Sequence, residues 1–169
     1  MGKKRNIIVG QSGGPTSVIN SSLAGGYKNA MERGFNKVYG MLHGIQGLLD
    51  EQYIDLSTQI HSEIDIELLK RTPSAFLGSC RYKLPEIHED RDIYEKIFKI
   101  LNKLDIDAFI YIGGNDSMDT IAKLSAYGAA KGSEIRFMGV PKTIDNDLMY
   151  TDHTPGYGSA AKYIATILK

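Results

Sequence analysis

Ala108-Phe109-Ile110-Tyr111-Ile112-Gly113-Gly114-Asn115-Asp116-Ser117 is the stretch that decides the fold. Its first five residues are apolar and strongly β-prone, and they read as a central strand. Two glycines end the run, and a helix from Met118 to Ala130 is expected to begin at once. Strand, glycine turn and helix in this order aim free backbone N–H groups and the positive helix end at one point, where an anion is favoured. Asp116 or Ser117 can cap that helix, and capping does not exclude ligand binding.

The same arrangement opens the chain. Asn6-Ile7-Ile8-Val9 reads as a buried parallel strand, followed by Gly10-Gln11-Ser12-Gly13-Gly14-Pro15-Thr16-Ser17. A helix from Val18 to Met31 then carries Val18, Leu23, Tyr27 and Ala30 at near-helical spacing. The loop matches neither the P-loop nor GxGxxG, so Gly13-Gly14 reads as a phosphate cradle or as a tight turn. Further on, Lys37 to Leu42 reads as a second strand and His43 to Leu48 as a glycine-punctuated loop. Tyr53 to Leu56 suits a small extra strand, and Ile64 to Lys70 a short helix. Asp92 to Leu104 sets Ile93, Ile97, Ile100 and Leu101 on one face and is the clearest amphipathic helix. Ile135 to Val140 reads as a short buried strand, and a last helix runs from Ser159 to Lys169.

The order is therefore β-α-β, a small excursion, then α-β-α-β-α. It predicts an α/β fold, a Rossmann-like three-layer sandwich with a mainly parallel sheet. Ligands in such folds bind beyond the carboxyl ends of the strands. That edge would gather Gly10–Ser17, Gly113–Ser117 and the loop Pro141-Lys142-Thr143-Ile144-Asp145-Asn146-Asp147.

The last of these crowds two carboxylates, a cation, a hydroxyl and an amide together. In an extended chain Asp145 and Asp147 would point the same way, about 7 Å apart at roughly 3.3 Å of rise per residue. One acid could then hold a metal-bound phosphate while the other takes a proton. The alternative is an exposed turn whose Asp and Asn cap the next helix. Phe76-Leu77-Gly78-Ser79-Cys80-Arg81 could likewise deliver a guanidinium to phosphate oxygens, or Arg81 could pair on the surface with Glu86 or Asp90. His43 and His61 have no metal-ligand spacing and read as ordinary polar residues.

Length and composition bound the possibilities. The 169 residues suit one domain, and 20 Lys+Arg against 20 Asp+Glu give zero net charge. No nucleic-acid footprint is present; the strongest basic cluster is Lys3-Lys4-Arg5. The single cysteine, Cys80, excludes an intrachain disulfide framework and fits a reducing compartment, where it suits a small buried hydrophobe. No apolar stretch approaches the ~20 residues of a membrane span, and no signal peptide is evident. A soluble, cytoplasmic chain is expected.

Taken together, the Gly10–Thr16, Phe76–Arg81, Gly113–Ser117 and Pro141–Asp147 stretches, with Thr151-Asp152, resemble the phosphofructokinase family in order and spacing from the first strand to the last residue. The resemblance implies transfer of a phosphoryl group to the 1-hydroxyl of fructose 6-phosphate, a step of glycolysis, with Mg2+. Asp145 resembles the family's general base and Asp147 the second acid, which supports metal and phosphate. Thr143 resembles a hydroxyl near the sugar's reacting end. Gly13, with Gly14 and Ser117, resembles the donor-phosphate cradle, and Arg81 the arginine that stabilises charge on the moving phosphate. ATP-using bacterial members usually carry glycine where this chain has Asp116, and often at Lys142. A carboxylate at Asp116 crowds the path of a nucleotide α-phosphate, and Lys142 can neutralise a compact pyrophosphate, so pyrophosphate is the expected donor and ATP the alternative. Asn115 departs from the aspartate many members use at the metal. Family members are also considerably longer, and a second lobe grips the sugar phosphate. The resemblance thus implies that residues 1–169 are the N-terminal, donor-binding domain, weakly active or inactive alone, of an enzyme that is usually a homo-oligomer. A catalytically silent phosphate- or nucleotide-binding module is the reading from another class. The Pro141–Asp147 stretch argues against NAD or lipid kinases, which share the Gly-Gly-Asn-Asp-Ser type of loop.

Overall fold

A computed structural model describes residues 5–14 and 16–168. Lys3 and Lys4 of the basic cluster, Pro15 of the first glycine loop and Lys169 of the last helix lie outside the described residues. The strands are β1 (Asn6–Gln11), β2 (Val38–Met41), β3 (Tyr53–Asp55), β4 (Ile106–Gly113) and β5 (Arg136–Pro141). The helices are α1 (Ile19–Glu32), α2 (Gly44–Leu49), α3 (Glu63–Arg71), α4 (Arg91–Lys103), α5 (Asn115–Ala130) and α6 (Tyr157–Ile167).

The sheet order is β3-β2-β1-β4-β5. Every pairing is parallel except that of β2 with the short β3. Side chains alternate across the sheet, because a strand repeats every two residues. Ile8, Phe109 and Tyr111 therefore face one layer, where α2, α4 and α5 contribute Ile45, Leu101 and Leu124. Ile7, Val9 and Ile112 face the other, against Leu23 of α1 and Leu69 of α3. The three-layer α/β architecture stands as expected. A run of rings, Tyr94–Tyr127–Phe98–Phe137–Phe109, fills the first layer with centroids 5.1–5.5 Å apart.

Four local expectations change. The stretch expected as a loop at His43 to Leu48 is largely the helix α2. His43 and Gly44 take left-handed φ of 55° and 60° to start it, and burial of Ile45 and Leu48 at i, i+3 outweighs the glycines. β5 is not buried. It is the sheet edge, with Arg136 and Met138 exposed and only Phe137 packed against the first layer. α5 begins at Asn115, not Met118, with Gly114 as its cap and no side-chain cap, so neither Asp116 nor Ser117 caps it. α3 opens on a Ser62/Asp65 capping box, which fixes its start just ahead of the expected Ile64.

The chain leaves β1 for β2 on one side and reaches β4 and β5 on the other. That reversal sets the loops after β1 and β4 side by side, which is where an open α/β sheet leaves a crevice.

Candidate active site

Three loops meet at the carboxyl edge of β1, β4 and β5. Ser12 N–H donates to Ile112 O at 2.9 Å, and Lys142 N–H donates to Gly113 O at 3.0 Å. Between them lies a cleft of about 530 Å³. Gly13, Gly14, Arg81, Asn115, Asp116, Ser117, Lys142, Thr143, Asp145 and Asp147 all line it. Every side chain singled out from the sequence as catalytic, donor-binding, substrate-binding or metal-binding is thus brought to one place.

Lys142 is the centre of the arrangement. It is fully buried, and its Nζ donates to the carbonyl of Gly13. Gly14, at φ 64°, passes directly above: a Cβ there would sit 3.4 Å from that amine. Among the described residues no carboxylate pairs with Lys142. Burial pushes its pKa below the ordinary lysine value, because removing water penalises the charged form. A buried cation that lacks a counter-charge favours an anion in the cleft beside it.

The Pro141–Asp147 loop is not extended. Asn146 takes φ 54°, which breaks the strand alternation assumed for the two acids. Both still line the cleft, because the turn is tied down elsewhere. Asn146 Nδ2 donates to Asp152 O at 3.1 Å, and its Oδ1 accepts from Thr154 N–H at 2.9 Å. Thr143 N–H donates to Pro155 O at 3.0 Å, and Thr154 Oγ1 donates to Thr143 O at 3.1 Å. The Thr143 hydroxyl accepts from Asp145 N–H at 3.0 Å and lies 3.5 Å from its carboxylate. The capping alternative for this loop does not hold, since α6 is capped by Gly156 with no side-chain bond.

Asn115, in the first turn of α5, donates from Nδ2 to Asp147 Oδ2 at 2.6 Å. Arg81 is exposed at the cleft and has no ion pair among the described residues; of the two suggested surface partners, Glu86 is held at 2.8 Å by Lys123, and Asp90 caps α4 by accepting from Ile93 N–H at 3.2 Å. Asp116, Asp145 and Asp147 likewise have no cationic partner there. The sequence reading passed over Ser12 and Lys83, which also line the cleft. Ser12 sits inside the first glycine loop and Lys83 lies two positions past Arg81, so both were open to the same reasoning. Three cations, Arg81, Lys83 and Lys142, and three carboxylates, Asp116, Asp145 and Asp147, thus line one cleft sized for a small, highly charged ligand.

A phosphate with its metal fits that set. Mg2+ is usually held by one or two carboxylates, with water and substrate phosphate completing the shell. Asp147, held in the cleft by Asn115, supplies one such carboxylate, and no cluster of three His, Cys, Asp or Glu able to hold a metal exists among the described residues.

The phosphofructokinase family profile matches residues 6–169. This chain belongs to the phosphofructokinase family. Pyrophosphate–fructose 6-phosphate 1-phosphotransferase of Xanthomonas campestris is 46% identical over 97% of this chain and 38% of its own length. The enzyme of the same name from Rhodospirillum rubrum is 42% identical, over 96% and 39%. Among solved structures, pyrophosphate-dependent phosphofructokinase of Nitrosospira multiformis superposes with a TM-score of 0.88 at 41% identity, covering 98% of this chain and 40% of that one. The chain spans about two fifths of the length of the relatives it matches. Among the described residues no helix is long and apolar enough to cross a membrane.

Proposed function

We propose that this chain forms the phosphoryl-donor half of a pyrophosphate-dependent 6-phosphofructokinase, acting in glycolysis. The observation that carries the reading is Lys142: a buried ammonium, bonded among the described residues only to the Gly13 carbonyl, beneath a glycine loop. Pyrophosphate would lie over Gly13 and Gly14 with Ser117 at the N-terminus of α5 and Arg81 from the opposite wall. Asp116, exposed in the first turn of α5 at the cleft, would add bulk and negative charge against a longer nucleotide donor, which supports pyrophosphate over ATP.

In the transfer, the 1-hydroxyl oxygen of fructose 6-phosphate attacks one phosphorus of pyrophosphate. The bond from that phosphorus to the bridging oxygen breaks, and inorganic phosphate leaves with the bond's electrons. Asp145 takes the hydroxyl proton, and Thr143 holds the Asp145 turn in place. Arg81 and Lys142 neutralise charge on the moving and leaving groups, the kind of contribution that dominates phosphoryl transfer. Asp147, oriented by Asn115, would hold Mg2+, which would supply further charge neutralisation. A cytoplasmic homo-oligomer is the accompanying proposal.

Calorimetric titration of the chain with pyrophosphate and then ATP, each with magnesium, tests the reading. Pyrophosphate is expected to bind and ATP to bind at least about tenfold more weakly, a difference of roughly 1.4 kcal/mol. Binding of ATP in preference would move the assignment to the ATP-dependent branch. Binding of neither would leave a scaffold.

A further inference from the structure

Residues 72–90 connect α3 to α4 without helix or strand, yet they carry Arg81 to the cleft. A segment with no ladder of its own must find partners for its backbone groups elsewhere. His43 N–H donates to Leu77 O at 2.8 Å, and two fully buried side chains supply further partners. Gln11, the last residue of β1, accepts at Oε1 from Leu77 N–H at 2.8 Å. Asn20, in the first turn of α1, accepts at Oδ1 from Phe76 N–H at 2.9 Å and donates from Nδ2 to Thr72 O at 2.9 Å. Gln11 Nε2 closes the pair by donating to Asn20 Oδ1 at 2.9 Å and to Ile19 O at 3.1 Å. One position further, Ser12 Oγ donates at 3.3 Å to the carbonyl of Cys80, the residue bonded to Arg81.

These contacts join the strand that ends in the glycine loop to the segment that ends in the arginine. We propose that Gln11 and Asn20 are positioning residues that lock Arg81 opposite Gly13 and Gly14, so that a diphosphate anion meets guanidinium and backbone N–H groups in one fixed geometry. The inference rests on the donor-binding reading above. Neither side chain lines the cleft, so both act through the segment they hold. Fixing the arginine beforehand lowers the ordering cost of binding, which is how preorganisation raises affinity.

A double-mutant cycle on the full chain tests this, with pyrophosphate in magnesium buffer as the titrant. Gln11→Met is expected to weaken pyrophosphate about tenfold. In an Arg81→Ala background the same substitution should change affinity by less than about twofold, because the residue it positions is already gone. Equal losses in the two backgrounds, or no loss from Gln11→Met, would overturn the proposal. Asn20→Ser, away from the cleft, is the milder variant should Gln11→Met fail to fold; the same non-additivity is expected of it. Hydrogen exchange without ligand provides the independent reading. Phe76 and Leu77 should exchange roughly tenfold faster in Gln11→Met while the β4 amides hold; unchanged exchange sinks the latch. A wild-type chain that takes no pyrophosphate would overturn the donor reading and the ligand half of this inference, with the exchange result still deciding whether the latch holds the segment.

Discussion

Asn115 Nδ2 lies 2.6 Å from Asp147 Oδ2, bonding the first turn of α5 to the loop that follows β5. An amide at this position holds the Asp147 carboxylate in the cleft without a bridging cation. Replacing it by aspartate would set two carboxylates face to face, a repulsion that a divalent cation relieves. Asn115→Asp should therefore melt roughly 2–4 °C lower than wild type in chelator and recover when magnesium is added. The wild-type chain should show little magnesium dependence. Differential scanning calorimetry with and without the metal reads both; equal magnesium responses in the two proteins would count against the clasp.

Lys142 offers a cleaner separation of binding from stability. A buried ammonium with one carbonyl partner among the described residues should contribute little to folding and, on the donor-site proposal, much to holding an anion. Lys142→Met should weaken pyrophosphate at least about tenfold, the scale of one hydrogen bond to a charged group. Its melting temperature should hold or rise. A variant that keeps wild-type affinity would remove Lys142 from the donor site.

On the donor-site proposal, Asp116 would set donor choice by bulk and charge rather than by fold. It is exposed in the first turn of α5 and bonds no cation among the described residues. Asp116→Gly should raise ATP affinity about tenfold. The helix cost of the glycine, up to about 1 kcal/mol, falls on the first turn alone. Competition titrations of ATP against pyrophosphate decide it.

Packing around the cleft tolerates little. A Cβ on Gly113 would collide with the Ser117 side chain and press on Ser12 Cβ at 3.3 Å. Gly113→Ala should cost roughly 1–3 kcal/mol, the usual penalty of overpacking. Because Ser117 and Ser12 both line the cleft, donor affinity should fall with it. Thermal melts and titrations together check the coupling.

Much of this was legible in the sequence for physical reasons. β1 and β4 announce themselves because central parallel strands are buried on both faces and read as unbroken apolar runs. The glycine turns after them mark the cleft because they end the strands at the carboxyl edge of the sheet, where its lining loops gather. What stayed hidden depends on contacts across sequence distance. Gln11 and Leu77 are far apart in the chain, and nothing local in Gln11 marks it as a latch. The burial of Lys142 could not be read from a residue that is usually exposed. β5 was misjudged because Ile135 to Val140 is apolar enough for a central strand, whereas the sheet ends there and leaves Met138 uncovered. The helix α2 was missed because two glycines outweighed an i, i+3 pair in a stretch only six residues long.

If Lys142 meets the donor as proposed, its lowered pKa should make donor binding pH-dependent. Burial shifts the folded-state value below the 10.5 of a free lysine. Between those two values the unfolded chain binds more protons than the folded one, so this group's contribution to stability grows as pH rises through the window and is lost as pH falls through the lower value. Pyrophosphate reverses the balance, because a bound anion favours the ammonium. Binding inside the window should take up a proton, and affinity should fall as pH climbs through it. Pyrophosphate has its own titration, common to wild type and Lys142→Met, so the difference between the two proteins isolates the lysine. Calorimetry in buffers of unlike ionisation enthalpy measures the uptake directly. If wild type and Lys142→Met lost affinity in parallel across alkaline pH, the buried ammonium would not be the group that meets the donor.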